Sequence, residues 1–258
     1  MLQQNQTTEV AGRSNAVPRF TVALATTEGD VQDAQALRYR VFGEEMGAQL
    51  EQGSDLDRGL DVDRFDPHCD HLLVRDRATQ EVVGTYRILG PDRARLVGGY
   101  YSEGEFDLSR LAGLRNELVE IGRSCVHQDY RGGAVMTLLW SGLAAYMREH
   151  QYRYLMGCAS ISMADGGHQA ASVYRQLCDN HAGPPEWRVF PKCPLPLTGL
   201  DQHAQARTPP LLKAYTRSGA YICGEPAWDA DFNTADLFLL LPLEKLNERH
   251  ANHFKPTI

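Results

Sequence analysis

The stretch ELVEIGRSCVHQDYRGGA, from Glu117 to Ala134, constrains the fold of this chain more than any other. An apolar strand carrying Glu120 and Arg123 runs into an Arg-Gly-Gly turn, and the turn opens an amphipathic helix. Backbone N–H groups left free at a helix N-terminus form an anion site, so Arg131, Gly132 and Gly133 are the candidate residues for holding a phosphate. A carboxylate upstream on the strand adds a candidate base. Glu120 and Arg123 stand three apart, which in a regular strand sends them to opposite faces. Gly122 between them is compatible with a bulge that re-aims one of the two. The residues alone leave two readings open: an ion pair on a sheet face, or a general base beside the cation that orients it.

Around this unit the hydrophobic periodicity predicts a strand at Phe20 to Ala25. A helix follows at Asp30 to Gly47, with Asp30 as its N-cap and Ala34, Leu37, Val41 and Phe42 at helical spacing. His71 to Arg75 and Val82 to Leu89 read as a hairpin turning around Ala78 to Gln80. Leu118 to Val126 is the central strand, and Val135, Leu138, Leu139, Leu143, Tyr146 and Met147 mark the inner face of the helix after the glycine turn. Another strand (Tyr154 to Ser160) and helix (His168 to Cys178) come next. Prolines break regular structure from Pro184 to Pro210, before a short helix, Leu211 to Arg217, and a last strand, Asp236 to Leu241. Strands alternating with helices after a hairpin imply an α/β fold, one mixed sheet flanked by helices. One domain is expected over residues 19–258, including a Pro-rich C-terminal extension from about 184, behind a mobile polar tail at 1–18.

The 258 residues, 43% of them hydrophobic, suffice for a sizeable core. Met1 to Pro18 lacks the apolar run of a signal peptide. The longest clearly apolar run, Leu237 to Leu241, is far short of the roughly 20 residues that span a bilayer. A cytoplasmic protein is expected, with at most peripheral contact with the inner membrane and no nucleic-acid partner. Six cysteines without a C-x-x-C read as reduced thiols. The string His68-Cys69-Asp70-His71 holds metal-capable types, but four adjacent ligands do not easily converge on one ion, so no metal is expected.

Charge is uneven. From Glu44 to Asp70 there are nine acids and two basic residues, and 2 − 9 = −7 equals the net charge of the whole chain. Asp61, Asp63 and Asp66 form a carboxylate-rich loop without EF-hand spacing, and Arg87 lies in VVGTYRIL. Carboxylates for ammonium groups and a guanidinium for a carboxylate suit the two ends of an amino acid. From Trp187 to Gly224 one acid faces Arg188, Lys192, Arg207, Lys213 and Arg217, a surface that attracts anions. The absence of G-x-S-x-G and H-E-x-x-H argues against the common hydrolase mechanisms. Cys125, a thiol on an apolar strand, reads as inert core, and Tyr174 is a weak candidate for protonating a thiolate leaving group.

Taken together, LRYRVFGEEM, GLDVDRFDPHCDHLLVRD, EVVGTYRIL, YYSEGEFDLS, VEIGRSCV, YLMGCASISM, PPLLKAY and CGEPAWDADF resemble GNAT-type acyltransferases. More closely, from about Ala34 onward, they resemble the bacterial ornithine N-alpha-acyltransferases. Arg38, Phe42, Asp63, Asp66, Arg87, Glu120 and Arg123 also match the pattern of the acyl-homoserine-lactone synthases. The resemblance implies a GNAT-like fold and transfer of a 3-hydroxyacyl group from acyl carrier protein to the alpha-amine of ornithine. No cofactor is implied, since the 4'-phosphopantetheine arrives on the carrier protein. In that scheme Glu120 is the base, Arg123 orients it or the acyl hydroxyl, and N–H groups near Ser124 to Val126 stabilise the oxyanion. The acidic loop holds the ornithine ammonium, and the basic segment docks the carrier. The GNAT turn pattern R-x-x-G-x-G/A is altered, with Ala134 and Met136 at the last two defined positions, which suits a phosphodiester better than a pyrophosphate. An acyl-homoserine-lactone synthase and a non-catalytic carrier-binding module are the rival readings. A haemolysin label sometimes attached to this family is taken to reflect a detergent-like product, because no pore-forming segment is present.

Overall fold

The charged strand lies at the middle of the sheet. The computed structural model describes residues 18–50, 55–204 and 206–245; the expected tail at 1–18 falls, except for Pro18, outside them. In chain order the elements are β1 (Phe20–Leu24), α1 (Glu28–Arg38), β2 (Asp70–Asp76), β3 (Val82–Leu89), α2 (Pro91–Val97), β4 (Phe106–Asp107), β5 (Leu118–Val126) and α3 (Ala134–Glu149). The second half holds β6 (Tyr154–Ser162), α4 (His168–His181), β7 (Phe190–Pro191), α5 (Pro210–Arg217), β8 (Tyr221–Ile222), β9 (Ala227–Asp229) and β10 (Thr234–Pro242). One sheet runs in the order β1-β2-β3-β5-β6-β10-β8, with β9 also pairing β10, while β4 and β7 pair separately. Only the β5–β6 pair is parallel among these ladders.

Side-chain alternation distributes the strands' apolar residues between two layers. On β2, Leu72 and Val74 pack with Leu139, Leu143 and Met147 of α3, whereas Leu73 joins Ala34 and Leu37 of α1 on the other face. Leu237, Leu239 and Leu241 of β10 belong with α4 and α5, and Phe238 and Leu240 with the segment around Tyr100 to Leu111. Because β10 is covered on both faces, it reads as an unbroken apolar run from Leu237 to Leu241. The expected sheet with helices on both faces is thus observed.

The first helix differs from expectation in two details. Helix α1 starts at Glu28 with Thr27 as its N-cap, and Asp30 closes a capping box from the third helical position. Thr27 Oγ1 accepts from the Asp30 N–H and Asp30 Oδ2 from the Thr27 N–H, both at 3.1 Å. Past Arg38 the helix continues as a π-helical segment, Tyr39–Glu45.

The parallel ladder joins only Leu118, Val119 and Glu120 to Tyr154, Leu155 and Met156. Beyond it β5 stays paired with β3, and β6 with β10, so the two strands part. Gly157 sits at the fork, where an added Cβ would overlap the Ile121 carbonyl oxygen. Gly157→Ala is therefore expected to destabilise the fold by about 1–3 kcal/mol, seen as a lower urea midpoint at unchanged slope.

Candidate active site

Where β5 and β6 part, a cavity of about 580 Å³ opens between them. Its walls include β5 from Glu120 to Val126, β6 from Cys158 to Ser160, and Phe42, Met136, Leu211 and Phe232. Glu120 closes the ladder and is buried at the apex. Its Oε1 accepts from the Ser102 N–H at 2.8 Å and the Ser102 hydroxyl at 2.5 Å, and its Oε2 from the Tyr101 N–H at 2.6 Å. Burial raises the Glu120 carboxyl above the ordinary glutamate value, and these hydrogen bonds and Arg87 only partly offset it. A carboxylate held in one orientation with heightened proton affinity is equipped to act as a base.

Of the two expected roles for Arg123, orienting Glu120 or the acyl hydroxyl, the hydrogen bonds around Glu120 do not include the first. Pairing with β3 slips between Gly122 and Cys125, so Arg123 and Ser124 oppose Tyr86 alone, and Arg123 takes a left-handed φ of 47°. The bulge sits one residue later than Gly122. It turns Arg123 toward Asp61 and Asp63, each at 3.4 Å, and sets its guanidinium against the rings of Tyr101 and Phe232. Ser102 and Tyr101 take the orienting role instead.

The acidic loop likewise differs from expectation. Asp63, Asp66, Arg87 and Arg38 are not waiting for the two ends of an amino acid, because they bind one another. Arg87 pairs with Asp63 at 2.5 Å and Asp66 at 3.0 Å, and Arg38 with Asp61 at 2.8 Å and Asp66 at 2.7 Å. All of them are buried. Three carboxylates (Asp61, Asp63, Asp66) thus meet three guanidinium groups (Arg38, Arg87, Arg123), and 3 − 3 = 0. Burial alone would raise the Asp66 carboxyl; hydrogen bonds and charge from Arg38, with Arg87 and Gln35, outweigh it and hold Asp66 well below the usual range. Arg87 and Phe42 still form part of the cavity wall.

At the cavity rim, Gly133 adopts φ 97° and precedes α3, whose first turn has no side-chain cap. Those backbone N–H groups are the donors an anion would meet. The Arg131 guanidinium is engaged by Glu45 at 2.5 and 2.7 Å and by the Val126 carbonyl, so its charge is already matched. Nothing lies within 4 Å of a Cβ built on Gly132 or Gly133, which leaves the turn open.

Comparison with known proteins agrees with this geometry. Residues 37–141 match the model of the acetyltransferase (GNAT) domain. The chain is 38% identical over 248 residues to the L-ornithine N(alpha)-acyltransferase of Brucella abortus (strain 2308), covering 90% of this chain and 88% of that protein. It is 36% identical over 250 residues to the enzyme of the same name from Rhodobacter capsulatus, covering 91% and 94%. The chain belongs to the L-ornithine N(alpha)-acyltransferase family. Among solved structures it shares its fold with TofI, crystallised with an inhibitor and MTA (TM-score 0.53, 14% identity, 91% of this chain and 97% of that one). It also shares it with the AHL synthase LasI (TM-score 0.52, 13% identity, 89% and 95%).

As a member of this N-acyltransferase family, the protein carries chemistry-bearing residues that the sequence did not announce. Tyr101 and Ser102 lie in the YYSEGEFDLS motif but act largely through backbone N–H groups, which no side chain signals. Tyr174 is outside the large cavity's lining and keeps company with Cys178. All six cysteines are free, and burial pushes the Cys125 thiol up to about 12, in keeping with an inert core thiol. His71 is buried with Nε2 3.2 Å from the Asp66 carbonyl oxygen. Among the described residues no helix is long and apolar enough to cross a membrane.

A second acidic group was also missed: Glu105 and Asp236, near Cys158, with one ligand atom of each within 4.8 Å of the others. Burial, then Asp236, Asp229 and Glu120, push Glu105 up to about 9, and burial raises Asp236 to about 6. Folded Glu105 therefore binds its proton more tightly than the unfolded chain does. That stabilisation is complete below about pH 4.5 and is lost as pH rises through about 9. The thermal midpoint of the ligand-free protein should fall across this interval, and Glu105→Gln should flatten the decline; an equally steep profile in the variant would contradict the assignment.

Proposed function

We propose that the protein transfers a 3-hydroxyacyl group from acyl carrier protein to the alpha-amine of L-ornithine, forming lyso-ornithine lipid. The observation that carries this reading is the position of Glu120, at the apex of a groove between two parting strands. The names of the relatives supply the acceptor. The groove takes the acyl-pantetheine arm, with its phosphate at the turn Arg131 to Gly133 and the N-terminus of α3. Because Glu45 already matches Arg131, backbone N–H groups rather than a free guanidinium meet that phosphate. Met136, where the GNAT pattern has Gly or Ala, lines the cavity beyond the open turn, and its larger side chain suits one phosphodiester.

The reaction is direct aminolysis. Glu120 takes one proton from the alpha-ammonium, and the amine attacks the thioester carbon. Backbone N–H groups of β5 beyond Glu120, on the edge that β6 has left, stabilise the oxyanion. The C–N bond forms, the C–S bond breaks, and the second ammonium proton leaves with the pantetheine thiol. Arg123, stacked between Tyr101 and Phe232, forms the wall beside the reacting carbonyl rather than a partner of the base.

Helix α5 links the groove to the basic segment. Leu211 and Ala214 face the cavity, while Lys213 and Arg217 are exposed on the same helix. This places positive charge beside the groove, where an acidic carrier protein would dock. Arg188, by contrast, is paired with Glu225.

Glu120→Gln should keep carrier-protein binding while lowering turnover by roughly 100-fold or more. Full thioester consumption by this variant would remove Glu120 from the mechanism. The double variant Lys213→Glu/Arg217→Glu should raise KM for the acylated carrier about tenfold at low salt, with a smaller effect on acyl-coenzyme A. Mass spectrometry of lipids from a heterologous host expressing the chain tests acceptor and product together, a new lyso-ornithine lipid being the expected result.

A further inference from the structure

A second cavity, of about 350 Å³, meets the first at Phe65, Tyr101 and Asp229. Glu105, Asp229, Arg64 and Lys192 line it, whereas Asp236 and Cys158 line the first. Glu105 and Asp236 therefore face each other across the partition between the two spaces. Both Glu105 carboxylate oxygens are closed off from solvent and receive no hydrogen bond from an amide, hydroxyl or cationic group; their polar neighbour is Asp236, with which Glu105 shares a proton. Asp236 is only 4% exposed, and one of its oxygens accepts from the Thr234 hydroxyl at 2.8 Å. Among the described residues no arginine or lysine forms an ion pair with Glu105, Asp229 or Asp236, in contrast to the matched charges of the Asp61 to Asp66 loop.

Two buried carboxylates side by side without a cation are costly unless a proton or something cationic completes them. A short chain of contacts ties them to the base. Glu120 accepts from the Ser102 hydroxyl at 2.5 Å, that hydroxyl lies 3.4 Å from Cys158 Sγ, and Cys158 Sγ lies within 4.8 Å of both carboxylates. A molecule with one ammonium at Glu120 and another a few bonds away would reach them.

We propose that Glu105 and Asp236, with Asp229 at the junction of the cavities, form the subsite that binds the side-chain ammonium of a diamino acid acceptor. The acceptor enters through the second cavity, opposite the donor groove, and Arg64 at its wall meets the acceptor carboxylate. This rests on the reading that the acceptor is ornithine, and it replaces Asp63 and Asp66, whose charges are already matched, as the ammonium site. Before the acceptor arrives, a proton held by Glu105 offsets part of the charge of the pair. The ammonium displaces that proton and supplies the missing positive charge.

The test uses the full-length enzyme and an acylated carrier protein, comparing L-ornithine with L-norvaline, which has the same carbon chain without the terminal amine. The ratio of kcat/KM for ornithine over norvaline should fall at least about tenfold in Glu105→Gln and in Asp236→Asn. Should either variant fail to fold, Asp229→Asn at the junction should lower the same ratio. If the wild type acylates ornithine and the variants keep its preference, the subsite is overturned while the ornithine reading stands. If the wild type acylates neither amino acid, that reading fails and the subsite falls with it. Native mass spectrometry supplies a further check: a metal ion retained by the wild type and lost in Glu105→Gln would assign the cluster to a metal and overturn the proposal.

Discussion

Three residue pairs hold β5 to β6 before the strands part, and the rest of the site depends on that short ladder. A longer pairing would seal the sheet and leave Glu120 an ordinary buried acid. A shorter one would move the fork away from Tyr101 and Ser102, whose N–H groups fix the carboxylate. Because each strand remains paired on its outer side, the gap costs little of the sheet's cohesion. Backbone groups along its two inner edges remain to be satisfied by whatever occupies the groove.

The site contains two acidic clusters built on opposite principles. In the first, three aspartates are matched by three arginines drawn from α1, β3 and the bulge of β5. Such a network contributes little net stability compared with an apolar core, but removing any one member strands a buried charge at a cost of about 3–5 kcal/mol. Its consequence is geometric: it fixes the loop, the bulge and the end of α1 relative to one another. In the second cluster the acids lack cationic partners, and burial, with repulsion from neighbouring acids, raises their proton affinity.

The sheet, its helices and the strand that carries Glu120 were legible because each carries a clean period. Leu72, Val74 and Leu73 alternate between the two layers, and Val135, Leu139 and Leu143 follow one helical face. The start of α1 was misplaced because Thr27 and Asp30 are both cap-forming types and the structure uses both. The ion-pair partners were not legible: Asp63 and Arg87 stand 24 residues apart, and only the fold brings them together. Asp236 was hidden at the edge of the expected strand; β10 begins two residues earlier, which puts this acid inside it. The clearest signal available was an acid in an otherwise apolar strand, the same one that singled out Glu120.

The π-helical segment after α1 has a consequence for how this region tolerates change in length. One continuous helix carries Arg38 in the charge network, Val41 and Phe42 on the groove wall, and Glu45 on Arg131. The wider turn sets the angular offset between these side chains. Loss of a single residue between Arg38 and Glu45 would leave the anchor seated yet swing the latch off the glycine turn. The segment therefore works as a gauge of fixed length, in which residue count is held more tightly than residue identity.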